Sequence, residues 1–177
     1  MNVCVFCGSS TGVNSIYADS AQALGKVLLQ RGHSLVYGGG NIGLMGVLAD
    51  TLLAGKGEVI GVIPDFLLQR EVGHRGITRL EVVSSMHERK KRMADLSDAF
   101  IAMPGGWGTL DELAEILTWK QLGLIHQPVG LLNINGFFDP LIEQMRLMSR
   151  AGFLSELNLQ FLHIEDSPET LVTTLAG

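Results

Sequence analysis

An α/β fold is predicted for this sequence: a doubly wound parallel sheet of about seven strands with helices on both faces. Three observations predict it. Short, near-continuous apolar runs alternate along the chain with segments of helical periodicity. Glycine-rich turns follow several of those runs, at the point where a parallel strand hands over to a helix. Of the 177 residues, 46% are apolar and 18% charged, a composition that builds a core without disulfides or metals.

The elements follow in order. VCVFC (3–7) is the first strand, with a helical pattern near 15–31 behind it. SLVYG (34–38) precedes a helix near 43–55, and EVIGVI (58–63) leads on to RLEVVS (79–84). Ser85 and Glu88 then spell S-x-x-E, a capping box that opens a helix over 86–95. DAFIAM (98–103) runs into a glycine turn and a helix over 109–123. PVGLLN (128–133), a helix over 137–150, FLHIE (161–165) and a helix over 167–176 complete the set. With right-handed crossovers this is a Rossmann-like arrangement. No linker, repeat or low-complexity stretch divides residues 1–177, which are expected to form one domain.

Bulk properties narrow the function. The net charge is −5 and no basic stripe runs along the chain, which argues against a nucleic-acid partner. No apolar run is long enough to span a bilayer, and the N-terminus lacks a signal-peptide pattern, so a cytoplasmic protein is expected. The two cysteines, Cys4 and Cys7, form C-x-x-C within a strand. Residues three apart on a strand face opposite sides of the sheet, so buried or site-lining thiols are expected, not a redox pair or a metal site.

Ligands of such sheets bind at the carboxyl ends of the strands, so four loops are read together. CGSSTG (7–12) offers small residues and hydroxyls, including Ser9. YGGGNIGLMG (37–46) carries Gly39 within a G-x-G-x-x-G formed by Gly38, Gly40 and Gly43, with Asp65 about where a ribose-binding acid would lie. That fingerprint belongs on the first strand–helix turn of a dinucleotide domain, and here it is on the second. A glycine loop for a phosphate or sugar is the better reading, with a tight turn as the plain alternative. SSMHERKKRM (84–93) crowds Arg89, Lys90, Lys91 and Arg92 into the start of a helix, where cations oppose the macrodipole. A bound anion would account for Arg89 and Lys90. Lys91 and Arg92 read as a solvated face, with Glu88–Arg92 as an i,i+4 pair.

The fourth loop is PGGWGTLDE (104–112). Gly105, Gly106 and Gly108 let the backbone approach a ligand, and a glycine turn at a helix start forms an anion nest. No G-K-[ST] follows, so it is not a Walker loop. Glu112 is either the partner of Thr109 in a T-x-x-E cap or a functional carboxylate. A carboxylate beside a phosphate needs a balancing cation. Arg89 is the candidate, on the expectation that the fourth and fifth strands are neighbours. An arginine and a carboxylate beside a sugar phosphate suggest N-glycosidic cleavage, whose transition state resembles an oxocarbenium ion.

PGGWGTLDE resembles the P-G-G-x-G-T-x-x-E signature of the Lonely Guy family. CGSS, YGGGNIGLMG, MHERK (86–90) and LTWKQLG (117–123) extend the resemblance over nearly the whole chain. Members of that family are cytokinin riboside 5′-monophosphate phosphoribohydrolases, although many bacterial members carry the name lysine decarboxylase. The resemblance implies hydrolysis of AMP or an N6-prenylated AMP to free base and ribose 5-phosphate, with no metal or organic cofactor. It implies catalytic roles for Arg89 and Glu112. It implies binding positions at Glu71, Met86, Lys90, Gly106, Trp107, Gly108, Thr109, Leu110, Asp111 and Thr118; the loop readings themselves add Ser9, Gly39, Gly40 and Gly105 as expected binding positions. Glu71 could equally be a surface acid and Thr118 a helix-face hydroxyl. Pyridoxal-dependent decarboxylation needs a Schiff-base lysine, and none of the five lysines has such a context.

Two rival readings stand beside this one: a non-catalytic nucleotide or molybdenum-cofactor carrier of similar fold, and an NAD enzyme. A carrier would not need both Arg89 and Glu112. The helix after the signature is apolar through Leu110, Leu113, Ala114 and Leu117, and again at Ile116 and Trp119. A helix apolar on more than one side is buried on more than one side, and the resemblance also implies a homodimer.

Overall fold

The structure is a computed structural model that describes residues 1–68 and 73–177. Glu71 lies outside the described residues. Seven parallel strands form one sheet: β1 (Asn2–Phe6), β2 (Ser34–Tyr37), β3 (Val59–Pro64), β4 (Arg79–Val83), β5 (Ala99–Ala102), β6 (Val129–Leu132) and β7 (Leu162–Glu165). Their order across the sheet is β4-β3-β2-β1-β5-β6-β7. The helices are α1 (Ser15–Gln30), α2 (Gly43–Ala54), α3 (Asp65–Leu68), α4 (Met86–Asp95), α5 (Trp107–Gln121), α6 (Asp139–Arg150), α7 (Glu156–Leu159) and α8 (Pro168–Ala176). The strands and long helices stand where the apolar runs and periodicities put them, to within a few residues at their ends. The four-residue α3 and α7 are too short to carry a period.

The two faces of the sheet are covered separately. Val3, Val5, Leu35, Tyr37 and Ile101 pack under α1, α2 and α8. Cys4, Phe6, Val36, Val62 and Phe100 pack under α4, α5 and α6. Period-two alternation sends Cys4 to the second core and Cys7 to the first, which keeps the thiols apart as free cysteines.

One expectation is corrected. β4 and β5 are not neighbours: β4 is an edge strand paired with β3, while β5 lies between β1 and β6. The chain builds outward from β1 to β4, and α4 then carries it back over β3 to the other side of β1. The strand order therefore reverses at β1/β5, the switch point where a crevice opens at the carboxyl ends. The pairing of Phe6 with Ala102 keeps these ends level, and Gly8 N–H donates to Pro104 O at 3.1 Å.

Candidate active site

A cavity of about 160 Å³ opens at this switch point. Its walls come from the ends of β1 and β2, from α4 and from the start of α5. They bring together Ser9, Arg89, Gly106, Trp107, Gly108, Thr109 and Glu112 from the expected set. Cys7, Gly8, Gly38 and Met45 line it as well.

Helix α5 begins at Trp107, two residues before its expected start, with Gly106 at the N-cap and no side-chain cap. Thr109 is therefore inside the first turn, and the T-x-x-E capping box does not form. Trp107 and Gly108 are weak helix formers, which hid the true start. The first intrahelical bond runs from Leu110 N–H to Gly106 O. The N–H groups of Trp107, Gly108 and Thr109 thus precede the helical ladder, at the positive end of the macrodipole. A methyl group on Gly106 or Gly108 would meet nothing within 4 Å, so neither glycine is demanded by packing. Their small size leaves room in the cavity.

Arg89 is 6% exposed and sits on the first turns of α4, whose N-cap is Ser85. Its Nε donates to Val62 O at 3.0 Å and its Nη2 to Gly38 O at 2.8 Å. Met86 backs it, with Sδ 3.8 Å from Nη1. The guanidinium thus reaches the cavity under the ends of β3 and β2, not through adjacency of β4 and β5. Gly38 is the reason it fits: a Cβ there would lie 2.1 Å from Nη2.

The other cations of this helix are accounted for. Lys90 pairs with Asp111 at 3.1 Å and Glu115 at 3.2 Å, tying α4 to α5. Burial pulls its pKa down, but these bonds outweigh that and raise it. Lys91 pairs with Asp95, as expected for a solvated face. The Glu88–Arg92 pair does not form: Arg92 binds Glu81 at 2.6 Å, and Glu88 accepts from Ser84 N–H and Oγ. Glu88 is drawn back to the chain entering the helix, which frees Arg92 to cross to β4.

Glu112 lies on the second turn of α5 and lines the cavity. The Cys7 thiol is pushed well above its ordinary value, first by burial and then by the negative charge of Glu112; Cys4 shifts the same way. Trp107 stands 88% exposed at the cavity mouth.

Several expected residues lie elsewhere. Gly39 packs against Ile63 and Leu80, and Gly40 bridges to Gly73. Gly105 lines a neighbouring hollow with Tyr17 and Phe137. Leu110 is half-buried against the core, and Asp111 is engaged with Lys90. Thr118 donates to Ala114 O at 2.7 Å and faces an apolar groove between α5, α6 and β7. Asp65 opens α3, outside the cavity lining. Met45 carried no signal distinguishing it from a core methionine, and Gly38 stood in the glycine fingerprint with nothing local to tie it to Arg89.

The model of the family described as "Possible lysine decarboxylase" matches residues 45–175. The chain is 51% identical over 154 residues to the cytokinin riboside 5′-monophosphate phosphoribohydrolase LOG of Oryza sativa subsp. japonica, covering 87% of this chain and 64% of the relative. It is 45% identical to LOG1 of Arabidopsis thaliana, covering 98% of this chain and 81% of that one. Among solved structures, the molybdenum cofactor binding protein of Rippkaea orientalis superposes with a TM-score of 0.73 at 23% identity, over 99% of this chain and 94% of that one. The molybdenum cofactor carrier protein of Chlamydomonas reinhardtii gives 0.73 at 21%, over 99% and 97%. These two likenesses establish a shared fold.

Proposed function

Because the chain belongs to the Lonely Guy family and carries an arginine and a carboxylate in one cavity with a glycine-rich helix start, we propose that it is a nucleoside 5′-monophosphate phosphoribohydrolase. Its substrate is AMP or an N6-prenylated AMP, and its products are the free base and ribose 5-phosphate. The observation that carries the reading is the joint presence of Arg89, Glu112 and the uncapped start of α5 in that cavity.

The roles follow from charge. The 5′-phosphate rests on the N–H groups of Trp107, Gly108 and Thr109, with Ser9 opposite, at the positive end of α5. Arg89 orients Glu112 and screens its charge from the phosphate in a low-dielectric pocket. Glu112 stabilises the positive charge that develops on the ribosyl carbon and takes a proton from the attacking water. The C1′–N9 bond breaks with its electron pair going to the base. The water's hydroxyl ends on C1′, and the proton that Glu112 removes from the water is balanced by the one that the departing base gains.

None of the five lysines lines the cavity, which speaks against a Schiff-base decarboxylase despite the family's description. The carrier reading explains the fold but gives no use to the Arg89–Glu112 combination.

A homodimer is part of the proposal. The groove between α5, α6 and β7 is lined by Leu117, Leu141, Met145, Leu159 and Phe161, and a second copy of this chain would bury it. That contact would also give Thr118 a role in the neighbouring site.

Chromatography of products tests the activity. Base and ribose 5-phosphate are expected from the 5′-monophosphate and not from the nucleoside lacking phosphate; release of base from both alike would remove the phosphate site from the account.

A further inference from the structure

The cavity does not explain His74, which is 8% exposed and hydrogen-bonded through both ring nitrogens and its backbone. Its Nδ1 accepts from Gly76 N–H at 3.3 Å, so the proton is on Nε2, which donates to Asp50 Oδ1 at 2.9 Å. Its own N–H donates to Gly39 O at 3.0 Å, beside the bridge between Gly40 and Gly73. Asp50 is on α2, and its carboxylate is exposed. Neither residue lines the cavity.

We propose that His74 and Asp50 are positioning residues that hold the Gly38–Gly40 turn, and through the Gly38 carbonyl fix the guanidinium of Arg89. This rests on the functional reading of Arg89 given above. The chain of contacts is continuous. Asp50 holds the imidazole of His74, and the His74 backbone holds the Gly39 carbonyl. The preceding residue, Gly38, presents its carbonyl to Arg89 Nη2.

The need for such a clamp is physical. Three consecutive glycines, Gly38 to Gly40, have the most backbone freedom to lose on folding, and without side chains the turn is pinned only through its backbone. A polar side chain buried with every partner satisfied specifies one conformation. The Val62 carbonyl, in the interior of β3, needs no clamp. The Gly38 carbonyl, one residue beyond β2, does. The clamp acts on the orientation of a group used in the transition state. Its loss should therefore lower kcat and leave nucleotide binding at the α5 start intact.

The test is steady-state kinetics of base release by the full chain, comparing wild type with Asp50→Ala, Asp50→Asn, His74→Ala and Arg89→Ala. Asp50→Ala is a surface change that leaves the core untouched, and Asp50→Asn keeps the acceptor for Nε2–H. The expected result is a kcat roughly tenfold lower in Asp50→Ala and His74→Ala, KM within about twofold, and Asp50→Asn close to wild type. Wild-type kcat in Asp50→Ala and His74→Ala, alongside an inactive Arg89→Ala, overturns the clamp and leaves the role of Arg89 standing. A raised KM with unchanged kcat overturns it too. Normal turnover by Arg89→Ala removes the premise itself.

Discussion

Arg89 Nη2 donates to the carbonyl oxygen of Gly38 at 2.8 Å, and a methyl group on Gly38 would stand 2.1 Å from that same nitrogen. One residue thus supplies both the anchor for the guanidinium and the space it occupies. The pairing spans 51 positions of sequence and joins the end of β2 to α4.

Gly38→Ala should therefore fold, because the clashing atom is the far end of a flexible side chain, but with Arg89 displaced. Activity is expected to fall by at least about tenfold, the scale of a misplaced catalytic group. Wild-type kcat in a folded Gly38→Ala protein would show that the position of Arg89 is immaterial.

Arg89→Lys should not rescue function. A lysine cannot bond both Val62 O and Gly38 O in the fork geometry, so a buried carbonyl is left unpaired at a cost of about 1–3 kcal/mol. A lowered thermal midpoint together with an activity loss of about a hundredfold is expected.

Gly108→Ala separates stability from binding. Position 108 is helical and a methyl group there meets nothing, so the change should stabilise the protein by up to about 1 kcal/mol. Gly108 lines the cavity, so the added methyl group should crowd the bound nucleotide and raise KM. Thermal melting and kinetics read the two effects independently, and an unchanged KM would argue against ligand approach at this turn.

Alkaline pH should destabilise the fold. Burial first, and then the charge of Glu112, raise the thiols of Cys4 and Cys7. Above about pH 9 the unfolded chain releases those protons while the folded one keeps them. The folded state then binds more protons, so stability falls as pH rises, by roughly 1 kcal/mol per pH unit for each thiol. Denaturant midpoints from pH 8 to 10.5 measure this. At pH 8 both thiols should resist alkylation until the protein unfolds.

Leu117→Glu places a charge in the groove between α5, α6 and β7. Sedimentation should read a dimer for wild type and a monomer for the variant. A wild-type monomer would remove the proposed contact.

Much of the fold was legible because β strands buried on both faces write continuous apolar runs. The sheet order was not, because α4 crosses back over β3 and nothing local encodes where β5 lands. The glycines of the α5 turn were legible from spacing, whereas spacing left Glu112 open between a cap and a functional carboxylate until the family resemblance was added. The start of α5 was hidden because a glycine N-cap and Trp-Gly in the first turn carry no helix-start chemistry. The partners of Lys90 and Arg92 were invisible because Asp111, Glu115 and Glu81 meet them only across tertiary space. His74 gave no signal, since a buried histidine holding a turn looks like any other in sequence.

The central claim is that Glu112 acts on the ribosyl carbon in this cavity. Its most direct test compares wild type with Glu112→Gln in a single assay that reads nucleotide binding, by quenching of the exposed Trp107, and base release, by chromatography. The account predicts that Glu112→Gln binds AMP or N6-isopentenyl-AMP nearly as well as wild type and releases base slower by about a hundredfold or more. Wild-type release of base by a folded Glu112→Gln protein would contradict it.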